Sequence, residues 1–248
     1  MDVYGFLRAF FGKAARVPSG CTGAKEPAFA ELAMQVDMQG LSYLGVEALV
    51  GLAQTMIEVN ESGVPGVVLE AGCALGGSAI VLAAAKGCDR PLYVYDVFGM
   101  IPEPSGHDGP DVHQRYEVIR SGRSEGLKGG EYYGYTPDLL TTISKNFADA
   151  GYPAHQNSVR FVKGLYEDTL YPKDLIALAH IDCDWYESVK VCLERIGPCL
   201  SVGGRMVIDD YDHYSGCRLA VDEYVARHSS EFKCERRVRL HIVRVAAA

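Results

Sequence analysis

Two stretches of the sequence, AHIDCDWYES and GGRMVIDDYDH, run from apolar residues into paired carboxylates. Asp182 and Asp184 end the first, and Asp209 and Asp210 end the second. Glu70 in VVLEAG and Asp96 in PLYVYD close two shorter apolar runs. Carboxylates gathered at one place cannot all stay ionised at neutral pH without a counter-charge. Such a cluster holds protons, recruits Arg or Lys, or binds a metal. Oxygen-only donors on rigid elements suit a hard divalent ion, Mg²⁺ ahead of Ca²⁺ or Mn²⁺. Alternate residues of an extended chain share a side, so Asp182 and Asp184 act together if the strand continues and diverge if it turns. His213, three residues beyond Asp210, adds a competing base. The plain alternative is helix capping: Asp184 and Asp212 each precede a helix, and one such cap is expected.

A second chemical signal is EAGCALGGS, a strand–turn–helix junction with glycines at 72, 76 and 77 followed by Ser78. Glycines there let a ligand approach the backbone. The pattern is not GxGxxG, and no phosphate-binding lysine follows. Glu70 beside the turn repels a pyrophosphate and attracts a cation or an amino group. Asp96 ends the next apolar run, about 20 residues on, where an acid accepts hydrogen bonds from ribose hydroxyls. Together these features suit a nucleoside that carries positive charge.

The elements that must position these residues follow from periodicity. Strands are expected at 67–71, 91–96, 158–164, 174–182 and 203–210, with helices between them, among them YESVKVCLERIG and CRLAVDEYVARH. Alternation of this kind gives a mostly parallel sheet flanked by helices, whose ligands bind beyond the carboxyl ends of the strands. All the singled-out acids lie at such ends. The tail alternates apolar and charged residues from Arg237, as a half-exposed strand does. Residues 1–64 read as an N-terminal helical extension packed on a core of 65–248. Residues 99–135 read as a lid with a short helix around Val112–Ile119, because so long a polar stretch in a compact domain is otherwise unusual. Arg115, Tyr132, Tyr133 and Tyr135 in it suit a hydroxyl-rich acceptor.

Composition narrows the partners. The net charge is −8 with no basic run, which speaks against nucleic acid. No apolar run approaches the ~18 residues of a membrane span. Val3, Phe6, Leu7, Phe10 and Phe11 form a helical stripe, expected to pack on the body or on a second copy, so a homodimer or larger homo-oligomer is anticipated. The eight cysteines form no CxxC pair; they read as reduced, buried side chains of a cytoplasmic protein.

The ordered set EAGCALGGS, YDVFGMIPEP, FVKGLYEDTL, HIDCDWYESVKVCLERI and GGRMVIDDYDHYSGCRLAVDEY resembles the macrocin O-methyltransferase family over roughly residues 40–225. The resemblance implies a single Rossmann-like methyltransferase domain. It implies an enzyme using S-adenosylmethionine and Mg²⁺ to methylate a sugar hydroxyl on a free sugar, an oligosaccharide or a glycosylated natural product. It assigns Asp182, Asp209 and Asp210 to the metal and makes Asp184 the candidate base, for which His213 stays the competitor by its position in the sequence. It places Glu70, Gly72, Gly76, Ser78 and Asp96, with Asp182, on the cofactor. The family pattern has Ser after the second-strand Asp; Val97 stands there, at the expense of a ribose contact. The alternatives are a catechol-type O-methyltransferase and, from another class, a metal-dependent hydrolase.

Overall fold

The computed structural model describes residues 26–246. The apolar stripe from Val3 to Phe11 lies outside the described residues. Seven strands form one mixed sheet: β1 Val67–Ala71, β2 Leu92–Asp96, β3 Val159–Lys163, β4 Ile176–Ile181, β5 Leu200–Ile208, β6 Phe232–Arg236 and β7 Leu240–Arg244. Their order is β3-β2-β1-β4-β5-β7-β6. The first five are parallel, β7 runs antiparallel to β5, and β6 antiparallel to β7. Every residue of β1 and β4 is buried, which is why VVLEA and IALAHI read as nearly unbroken apolar runs.

Helices cover both faces. In chain order they are α1 Glu26–Met38, α2 Val46–Glu61, α3 Gly77–Ala85, α4 Pro110–Arg120, α5 Leu139–Asp149, α6 Tyr166–Thr169, α7 Tyr186–Ile196 and α8 Ser215–Arg227. One face packs Leu49, Leu52 and Met56 of α2, Ile80 of α3 and Phe147 of α5 against Val94 and Val207. The other packs Val189 and Leu193 of α7 and Val221 of α8 against Leu69, Met206 and Ile242. The spacing of Leu49, Leu52, Met56 and Val59 puts these side chains on one stripe of α2, all of them buried. The result is a single Rossmann-like α/β domain.

The tail departs from expectation. It forms a hairpin of two strands, and β7, between β5 and β6, is buried along its whole length. Its charged residue is accommodated because the Arg244 guanidinium donates to the carbonyls of Gly197, Pro198 and Leu200 at 3.2, 3.0 and 2.6 Å. β5 starts at Leu200, ahead of the expected 203, because a register shift between Ile176 and Leu178 lets Leu200 pair as well. The cysteine reading is corrected too. Cys73, Cys183, Cys192 and Cys217 are buried free thiols, but Cys234 is exposed and Cys88 is disulfide-bonded. Cys88 sits half-buried just after α3. The compartment argument from reduced thiols therefore loses its footing. Among the described residues no helix is long and apolar enough to cross a membrane.

Candidate active site

The acids converge at the carboxyl ends of β4 and β5. β4 stops at Ile181, and the Asp182 N–H donates to the Ala71 carbonyl at 2.9 Å. Asp184 then takes a left-handed backbone, φ +60°, so the pair does not lie along one extended strand. The turn nevertheless leaves both carboxyl groups on the wall of one cavity. The Asp184 N–H also donates to the Asp210 carboxylate at 3.3 Å, tying the two acidic loops together. Beyond β5, Asp209 donates its N–H to the Ile181 carbonyl, and a 3₁₀ turn over Asp210–Asp212 follows. Ligand atoms of Asp209, Asp210 and His213 lie within 4.8 Å of one another. The Asp182 and Asp210 side chains are hydrogen-bonded.

Burial first, and mutual repulsion second, hold the Asp182 and Asp210 carboxyls well above the usual range. Burial and Asp209 likewise lift Asp184 to about 7, against the pull of Arg115. Arg239, in the β6–β7 turn, donates Nε to Asp209 Oδ1 at 2.6 Å. The guanidinium gives one carboxylate of the cluster a counter-charge, and the clustered hard oxygens form a donor set that fits a divalent cation. Neither Asp184 nor Asp212 is a helix cap. The N-caps are Trp185 and Tyr214, and the free N–H groups beyond them go to acids of the 99–135 segment. Asp108 accepts from Tyr186 N–H at 2.8 Å, and Asp111 from Ser215 N–H at 2.9 Å.

The second cavity lies beyond β1 and β2. Its walls include Gly72, Cys73, Asp96, Val97, Tyr166 and Glu167. Asp96 is 6% exposed and accepts the Cys73 N–H at 2.9 Å on Oδ2 and the Phe98 N–H at 2.7 Å on Oδ1. Each oxygen keeps a lone pair for a ligand hydroxyl. Burial raises the Asp96 carboxyl above its ordinary value, and the two amides counter it. Gly72 has φ +88°, and a Cβ there would lie 1.8 Å from the Asp182 carbonyl oxygen. The glycine brings the turn after β1 against the loop after β4.

Four of the residues expected on the cofactor do not line this cavity; one of them, Asp182, lines the acidic cavity instead. Glu70 is fully buried and pairs with His180 Nδ1 at 2.9 Å across β1 and β4. Gly76, at φ +89°, opens α3 and turns toward Ile143 and Phe147 of α5. Ser78 is buried within α3.

The acidic cavity measures about 350 Å³, within the roughly 300–1,000 Å³ of small-molecule sites. Tyr43, Tyr132, Trp185 and Tyr214 wall it, with Arg115 from α4. Residues 99–135 are fastened across it. Besides the two aspartate caps, Trp185 Nε1 donates to the Pro102 carbonyl at 3.0 Å, and the Tyr135 hydroxyl donates to the Ile119 carbonyl at 2.5 Å. Ala74, Ile101, Tyr133 and Asp184 line both cavities. Arg239, Asp108 and Tyr43 were not singled out from sequence. No motif marks them, since register and loop packing bring them in from other parts of the chain.

Comparison with known proteins agrees with this architecture. The family model for macrocin O-methyltransferases matches residues 26–235. The chain is 32% identical over 196 residues to the demethyldecarbamoylnovobiocin O-methyltransferase of Streptomyces niveus, covering 74% of this chain and 67% of that one. It is 32% identical to the mycinamicin III 3''-O-methyltransferase of Micromonospora griseorubida, covering 75% and 70%. It is 35% identical over 191 residues to the 8-demethyl-8-(2,3-dimethoxy-alpha-L-rhamnosyl)-tetracenomycin-C 4'-O-methyltransferase of Streptomyces olivaceus, covering 75% and 67%. Among solved structures, the O-methyltransferase NovP superposes with a TM-score of 0.69 at 26% identity, covering 86% of this chain and 88% of that one.

Proposed function

Because the chain belongs to the macrocin O-methyltransferase family, we propose that this O-methyltransferase moves a methyl group from S-adenosylmethionine to a sugar hydroxyl, with Mg²⁺ or a similar divalent cation. The observation that carries the reading is the shared wall: Asp184 belongs both to the cavity that holds Asp96 and to the cavity that holds the acidic cluster. A group that removes a proton from the acceptor while the methyl arrives must stand at that junction. His213 lines only the acidic cavity, so Asp184 takes the role of base. Two of these relatives, named for a 3''-O- and a 4'-O-methylation, the second on a rhamnosyl-bearing substrate, support a sugar acceptor over a catechol.

S-adenosylmethionine supplies an already activated methyl group. Asp182, Asp209 and Asp210 would hold the cation, which would lower the pKa of a neighbouring hydroxyl and orient it. The chain does the rest. Asp96 accepts the ribose hydroxyls with its remaining lone pairs. Tyr166 and Val97 offer apolar surface to the base of the nucleoside. Tyr43, which is exposed, offers its ring to the acceptor beside the buried Tyr132 and Trp185, and Arg115 holds its polar edge. The Asp184 carboxylate takes the hydroxyl proton. Within the same reading the acceptor is a small molecule or oligosaccharide, and the enzyme acts in the cytoplasm as a homodimer or larger homo-oligomer. Methyl transfer from labelled cofactor to a panel of glycosides tests the proposal. Transfer to catechols but to no sugar would overturn the acceptor assignment.

A further inference from the structure

We propose that His213 is a ligand of the divalent cation, so that the site takes Mn²⁺ in preference to Mg²⁺. This rests on the metal reading above and extends it to a residue that the sequence offers only as a competing base.

The argument starts from the turn. Asp209, Asp210 and His213 lie on a single 3₁₀ turn after β5, and the His213 N–H donates to the Asp210 carbonyl at 3.0 Å. That bond fixes the start of the histidine side chain relative to the two acids. Ligand atoms of the three residues fall within 4.8 Å of one another, and His213 Nδ1 stands 4.0 Å from Asp210 Oδ1. Two atoms bound to one ion at about 2.1 Å can be no more than about 4.2 Å apart, so this pair already meets the limit. The side chain is 55% exposed, so its ring is free to rotate without breaking packing. His213 lines the acidic cavity with Asp182, Asp209 and Asp210 and does not reach the cofactor cavity. That location suits a ligand and not a base at the methyl. On Asp209 the Arg239 guanidinium takes Oδ1, which leaves Oδ2 for the ion. One imidazole among carboxylates shifts preference away from Mg²⁺, which favours oxygen and water, toward first-row transition ions.

The test is pulsed electron paramagnetic resonance on the protein loaded with Mn²⁺, with Mn²⁺ and Mg²⁺ affinities measured by calorimetry. Coordination gives a ¹⁴N modulation from a directly bound imidazole in wild type, and its loss in His213→Gln. The same variant should lose about tenfold or more in Mn²⁺ affinity and less than about threefold in Mg²⁺ affinity. Binding of S-adenosylhomocysteine by the variant serves as the check that it folds. Mn²⁺ bound to wild type without nitrogen modulation overturns the ligand assignment and leaves the metal reading standing. No Mn²⁺ or Mg²⁺ binding to wild type overturns both.

Discussion

The Asp108 carboxylate accepts the backbone N–H of Tyr186 at 2.8 Å, across 78 positions of chain. Tyr186 opens α7, two residues after Asp184. Asp108 therefore caps the helix that follows one acidic loop, while Asp111 receives the Ser215 N–H and hydroxyl at the helix that follows the other. The fit is tight: a Cβ at Gly216 would lie 1.9 Å from Asp108 Oδ1. Removal of a capping side chain costs about 1–2 kcal/mol. Asp108→Ala should lower the melting temperature by roughly 2–8 °C and raise the acceptor KM, while Asp108→Asn recovers most of both. Thermal unfolding and steady-state kinetics check this. An unchanged KM in the alanine variant would separate the strap from acceptor binding.

Asp184→Asn keeps the size of the side chain and removes its basicity. General-base contributions run from about 10² to 10⁴, so kcat should fall by at least 10². Affinities for S-adenosylhomocysteine and for the cation should stay within about threefold of wild type. Turnover near the wild-type rate would remove Asp184 from the reaction.

Gly72→Ala places a methyl group against the Asp182 carbonyl oxygen at a backbone angle that disfavours side chains. The collision pushes the turn after β1 away from the loop after β4. The expected outcome is loss of both nucleoside and cation binding, together with a lower melting temperature. A variant that melted normally and bound both ligands would show that the close approach is dispensable.

His241 is buried in β7, and burial, helped by Arg237 and Arg205, pushes it from 6.5 down to about 4. The folded protein keeps it neutral, while the unfolded chain takes up a proton as the pH drops below about 6.5. The unfolded state then binds more protons, so this group makes stability rise with pH between about 4 and 6.5 and fall as acid is added. His180 works in the opposite sense. Burial lowers it, but its hydrogen bond to Glu70 and the charge of Glu70 lift it above 6.5 overall, so its contribution is present below that value and fades as the pH rises through the folded value. Urea midpoints at pH 7, 5.5 and 4.5 should show a shallower acid loss in His241→Gln than in wild type. Identical slopes would mean that His241 titrates alike in the folded and unfolded states.

Much of the site was legible in the chain because acids at strand ends announce themselves. Asp96, Asp182, Asp209 and Asp210 each close an apolar run, and a parallel sheet sends all such ends to one edge. Glu70 obeyed the same pattern and went elsewhere. Register places it opposite His180, and no local signal reveals a partner 110 positions away. Gly76 and Ser78 belong to the glycine turn by sequence, yet α3 carries them toward α5 and into the core. The tail's alternation was real, but a hairpin turn at Arg237–Arg239 divided it, and β7 was buried because internal carbonyls solvate Arg244. Arg239 could not be seen at all. It reaches Asp209 only because β7 pairs with β5 in the register that sets Ile208 against Leu240.

The most direct measurement is calorimetry with S-adenosylhomocysteine, first without and then with Mg²⁺, on wild type and Asp209→Ala. Nucleoside binding to both proteins, with cation binding to wild type alone, is the expected result and would establish the two halves of the crevice. Absence of nucleoside binding under every condition would contradict the account.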